Sequence, residues 1–113
     1  MELKVIRADD EISHIALIGR MDHAGASAVE LKFLAATASR QKPTMVDMSE
    51  VTFVVSLGIR MLLGAAKSLK ANDCGMALVN VQPLVAETLR LAKLDEVFIL
   101  ADSEEDALAK LGV

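Results

Sequence analysis

Residues 53–63 read FVVSLGIRMLL. Phe53, Val54 and Val55 are residues that favour extended chain, whereas beyond Ser56 the apolar positions Leu62, Leu63, Ala66 and Leu69 recur at helical spacing over residues 57–69. A strand that turns straight into a helix, with one hydroxyl at the turn, predicts a βα unit with Ser56 at the N-cap. A serine so placed can cap the helix, attack a substrate or accept a phosphate.

On the N-terminal side, LKVIRA (3–8) and ISHIALIG (12–19) are β-rich runs separated by the polar DDE (9–11), which predicts a hairpin whose second strand ends at Gly19. RMDHAGASAVELKFLAATASRQ (20–41) changes period: Ala28, Leu31, Leu34 or Ala35, and Ala38 share one helical face, with Asp22 as a possible cap. Pro43 closes that helix, and TMVDMSEVTFVV (44–55) is strand material in which DMSE (47–50) marks a turn or bend.

On the C-terminal side, KANDCG (70–75) ends the second helix, with Asn72 and Gly75 as left-handed candidates. MALVNV (76–81) is a buried-type strand, and QPLVAETLRLAKL (82–94) is a helix with Pro83 in its first turn, where a missing N–H costs nothing. DEVFIL (95–100) reads as a strand. The last helix is capped by Asp102 or Ser103, carries Glu104, Glu105 and Asp106 in its first turn and stops at Gly112.

The order β-β-α-β-α-β-α-β-α implies right-handed crossovers and an α/β fold, a mostly parallel mixed sheet flanked by four helices. Parallel strands send their C-terminal ends to one edge. The turns at 20–24, 54–57 and 80–83 should therefore share a rim that gathers Asp22, His23, Ser56 and Arg60.

The 113 residues suit one domain spanning 1–113, and 53% hydrophobic with 25% charged residues is the balance of a soluble globular chain. A net charge of −4 and the absence of Tyr and Trp argue against nucleic acid. No apolar run reaches the ~20 residues of a membrane span, and MELKVIRADDE lacks the order of a signal peptide, so a cytoplasmic location is expected. Cys74 is the only cysteine, and His14 and His23 have no matching carboxylate array; neither a disulfide nor a metal site is expected.

Enzymatic readings of Ser56 fare poorly. A nucleophile elbow needs a small residue two before the serine, where Val54 stands, and nothing pairs His23 with Ser56 as a base. VVSLGIR also lacks the glycines and the Lys-Ser/Thr pair of a phosphate-binding loop. No catalysis and no cofactor are expected. A cap and a phosphoacceptor remain, and they are compatible, because a helix N-terminus favours anions and Arg60 stands one turn away.

The segment MVDMSEVTFVVSLGIRMLL (45–63) resembles the signature of the STAS domain, and closely that of bacterial anti-sigma factor antagonists: Asp47, Met48, Ser49, Val51, Phe53, Ser56, Gly58 and Ile59 agree or are conservative. IALIGRMDHAGA (15–26), CGMALVNVQPLVAETLRLAKLDEVFIL (74–100) and SEEDALAKL (103–111) are similar to further family segments in the same order. The resemblance implies the STAS fold and a partner switch. The unphosphorylated protein would bind an anti-sigma factor that is also a serine kinase, through Asp22, His23, Leu57, Gly58 and Arg60. Phosphorylation of Ser56 would release it, and a PP2C-type phosphatase would restore binding. Val55 stands where the family often has Asp, and Leu57 where it often has Ser or Thr. The alternative within the same fold is a constitutively binding STAS module of a transport or stress-signalling assembly.

Overall fold

The polar segment between the first two apolar runs makes the expected hairpin, joining β1 (Glu2–Ala8) to β2 (Ser13–Met21). Asp9 Oδ1 accepts from the amides of Glu11 and Ile12 at 2.9 and 3.0 Å, a side-chain-stabilised turn of the kind aspartate favours. From below, the Arg40 guanidinium donates to Ser13 Oγ at 2.7 Å and to the carbonyl of Asp9, fixing the hairpin to the chain that follows the first helix.

The computed structural model describes residues 1–113. After the hairpin come α1 (His23–Ala36), a short 3-10 turn (Ala38–Arg40), β3 (Thr44–Val54), α2 (Ser56–Lys70), β4 (Met76–Val79), α3 (Pro83–Leu91), β5 (Ile99–Ala101) and α4 (Glu104–Leu111). The five strands lie in the order β1-β2-β3-β4-β5, with β1 antiparallel to β2 and the rest parallel. The fold is the expected mixed, mostly parallel sheet with four helices.

The larger core sets Ile15, Leu17, Val46, Met48 and Leu78 of the sheet with Val29 and Phe33 of α1, Leu62 and Leu69 of α2, and Val85 and Leu89 of α3. On the other face Ala107 of α4 packs in a smaller cluster with Ile12, Met45, Ala77, Val79 and Ala101. Burial on two faces explains why MALV of β4 is apolar throughout instead of alternating. Each fully buried Leu or Phe here contributes roughly 1.5–3 kcal/mol. Ser103 Oγ caps α4 by accepting from the Asp106 amide at 3.0 Å, and Gly112 ends it in the left-handed region at φ 76°.

Several local expectations are corrected. β2 passes Gly19 and continues to Met21. α1 buries Gly25, Ala26, Val29 and Phe33, one step round from the face expected, and leaves Leu31 81% exposed. Alanines on several faces of α1 make its period ambiguous, so the one large aromatic, Phe33, decides the orientation. DMSE is a bulge inside β3: Ala16 pairs Asp47 and Ile18 pairs Glu50, so Met48 and Ser49 oppose the single residue Leu17. The left-handed residue after α2 is Asp73 (φ 59°), not Asn72 or Gly75. In DEVFIL only Ile99 and Leu100 enter β5, because the preceding residues close the turn that follows α3.

Candidate functional site

β2 and β3 pair as far as Met21 with Val54, whereas β3 and β4 part after Asp47 with Val79. The turns after β2 and β3 therefore meet, and the Val55 amide donates to the Met21 carbonyl at 3.0 Å. The third turn, at 80–83, does not join them. It meets β3 at its bulge, where Gln82 Nε2 donates to the Ser49 carbonyl at 2.8 Å. The rim is built from two turns, because β3 outruns β4.

Asp22 and Ser56 each follow one partner of the Val55–Met21 bond, so the two helix entries stand side by side. Asp22 caps α1 as expected: its backbone is extended (φ −83°, ψ −174°) and Oδ1 accepts from the Gly25 amide at 2.7 Å. His23 is the first residue of α1 and exposed. Gly25, which sequence reasoning missed, has to be glycine, since a Cβ there would overlap the Arg20 carbonyl oxygen.

Ser56 is not the N-cap. That position is Val55, extended at φ −98° and ψ 171°, with no side-chain capping bond, and Ser56 is the first helical residue. The shift has a cause distant in the chain: the Val55 amide is held by Met21, and the Val55 carbonyl already accepts the first helical bond, from Ile59 at 3.1 Å. The Ser56 side chain is exposed, and no hydrogen bond engages its hydroxyl. Gly58 is buried, and a Cβ there would run into the Met21 sulfur. Leu57 is half-buried and Arg60 exposed, its guanidinium in no ion pair.

Arg60 and Leu57 line an open groove of about 230 Å³ between α1 and α2, completed by Glu30, Leu34, Met61 and Gly64. Glu30 and Leu34 became visible as site residues only once the packing of α1 was known. Behind the rim, the Arg20 guanidinium lies 4.6 Å from the centre of the Phe53 ring and 4.0 Å from an Asp22 carboxylate oxygen. An exposed serine with an arginine and a capped helix beside it can dock a partner and can carry an anion at the start of α2. No base faces Ser56 by hydrogen bond, and no group of three or more His, Cys, Asp and Glu could hold a metal ion. His14 is buried on β2, with its Nε2 unpartnered and a Glu104 carboxylate oxygen 3.9 Å away, far from this rim in the sheet register.

Over residues 4–107 the chain matches the STAS domain, and it belongs to that family. It is 27% identical over 100 residues to the anti-sigma F factor antagonist of Paenibacillus polymyxa, covering 88% of this chain and 86% of that protein. Its fold is similar to an anti-sigma-factor antagonist (STAS) domain protein of Planctomyces limnophilus, with TM-score 0.84, 22% identity and 98% of each chain covered. It is also similar to the Bacillus cell fate determinant SpoIIAA in the phosphorylated form, with TM-score 0.68, 20% identity, and 96% of this chain and 98% of that chain covered. No helix is long and apolar enough to cross a membrane.

Proposed function

We propose that the chain, as one STAS module spanning 1–113, is an anti-sigma factor antagonist working by a partner switch. Unphosphorylated, it binds an anti-sigma factor that is also a serine kinase, with the rim Asp22, His23, Leu57 and Arg60 and the α1–α2 groove as the docking surface, and with the buried Gly58 letting α2 sit close against Met21 beneath it. Phosphorylation of Ser56 ends binding, and a PP2C-type phosphatase resets it. The observation that carries this reading is the Ser56 hydroxyl itself, exposed at the first position of α2 with no structural task. A phosphate there brings about −1.5 to −2 charges onto the docking surface, which breaks an interface by repulsion and desolvation while the helix N-terminus and Arg60 keep the modified protein folded. The relatives reported above, one of them in a phosphorylated form, support the reading.

Incubation with ATP and a candidate kinase of the anti-sigma type, followed by mass spectrometry, tests it. One phosphate on Ser56 is expected. A second reading, constitutive binding within a transport or stress-signalling assembly, is favoured by Val55, which brings no carboxylate beside the hydroxyl. No phosphate with any kinase that binds the protein would select that reading.

A further inference from the structure

At the edge of the sheet opposite the Ser56 rim, where β4 and β5 begin, lies the largest cleft of the molecule, about 590 Å³. Its apolar lining is Ala66, Met76, Ile99 and the exposed Val97, and Lys67, Lys70 and Lys93 line it too, with Glu96 as the one acid among the lining residues. In a chain of net charge −4 this is a local excess of positive charge. None of the three ammonium groups is in an ion pair.

Lys67 and Lys70 lie in the last turn of α2, where the helix dipole favours cations, so their position alone is unremarkable. Lys93 is different. It comes from another element, the turn after α3, and sits in the left-handed region at φ 59°. The Leu94 amide donates to the Leu89 carbonyl at 2.9 Å and the Lys93 amide to the Arg90 carbonyl at 3.0 Å, so Lys93 closes α3 in the left-handed region as Gln41 and Asp73 do after the 3-10 turn and α2. Lys93 therefore lines the cleft from a second element, facing the two lysines of α2 across it.

We propose that this cleft binds a single-chain amphiphilic carboxylate, its head held by Lys67, Lys70 and Lys93 and its hydrocarbon chain laid on Ala66, Met76, Val97 and Ile99. A small inorganic anion would use the lysines and leave the apolar lining wet; a neutral amphiphile would use the apolar lining and leave the cations idle. The volume is that of a small-molecule site. The cleft shares no residue with the Ser56 rim, so the proposal stands or falls independently of the partner switch.

Cys74, the only cysteine, lines the cleft and provides a reporter. The intact protein is treated with iodoacetamide in the presence of monomeric decanoate, decanol or inorganic phosphate, and amide shifts are followed by NMR. Decanoate is expected to slow alkylation and to shift Lys70, Cys74, Lys93 and Ile99, with decanol and phosphate much weaker. Lys70→Gln combined with Lys93→Gln, shown folded by circular dichroism, should weaken decanoate about tenfold. Equal protection by decanol or by phosphate, an affinity unchanged in the double variant, or binding only to anionic vesicles and not to monomeric decanoate would each overturn the proposal.

Discussion

Met21 is the buried pivot on which α2 enters the fold: its carbonyl accepts the Val55 amide at 3.0 Å, and its side chain fills the space a Cβ at Gly58 would need. Gly58→Ala gains up to ~1 kcal/mol of helix propensity but forces a fully buried methionine aside, which costs ~1–3 kcal/mol. The expected net effect is a loss of roughly 1 kcal/mol by denaturant unfolding. Trimming Met21 in the same protein should remove the penalty of the alanine, and a strictly additive double variant would show that the two residues do not compete for space.

Asp22→Ala removes the one side-chain bond at the start of α1 and should cost about 0.5–2 kcal/mol, whereas Asp22→Asn, which also accepts, should cost far less. Thermal unfolding of the three proteins decides. Equal losses for the two variants would mean that the charge near the helix dipole, not the acceptor, is what matters.

Ser56→Ala should be neutral within about 0.5 kcal/mol, since the serine caps nothing and alanine is the better helix former. Val55→Asp places an acceptor at the true N-cap, worth about 1 kcal/mol there, less what the half-buried valine contributed. It also supplies the carboxylate beside the acceptor hydroxyl, and the partner-switch reading expects faster phosphorylation of Ser56 by the same kinase in this variant.

The hairpin turn sets an acid response. A side-chain hydrogen bond from Arg7, helped by the amides of Glu11 and Ile12, lowers the Asp9 carboxyl from 3.8 to about 2. A depressed folded value means that Asp9 favours folding in its ionised form. Its contribution is complete above the unfolded value near 4 and is lost as pH falls through about 2. An NMR titration should place Asp9 near 2 in the parent protein and closer to 3.8 in Arg7→Gln; coincident titrations would show that the pairing is absent in solution.

Element order, both ends of α4 and the capping role of Asp22 were legible in the sequence because each rests on local chemistry: a period of two or 3.6, an aspartate before a helix, a glycine after one. What failed depended on partners distant in the chain. Ser56 looked like a cap because sequence cannot see the Met21 carbonyl that holds Val55 and starts the helix a residue early. The 80–83 turn looked like part of the rim because strand order does not say that β3 runs past β4 to Val54. Gly25, Glu30 and Leu34 emerged only when α1 was oriented by Phe33.

The central claim is that a charge at position 56, not loss of fold, controls partner binding. Its most direct test is the affinity of the parent, Ser56→Ala and Ser56→Asp proteins for one anti-sigma factor kinase, with unfolding measured on the same samples. The account predicts three folded proteins, with Ser56→Ala within about 0.5 kcal/mol of the parent and Ser56→Asp no less stable than it. Ser56→Ala should bind like the parent and resist release by ATP, and Ser56→Asp should bind at least about tenfold more weakly, as expected for a charge buried without a partner. Equal affinity of Ser56→Ala and Ser56→Asp would contradict it.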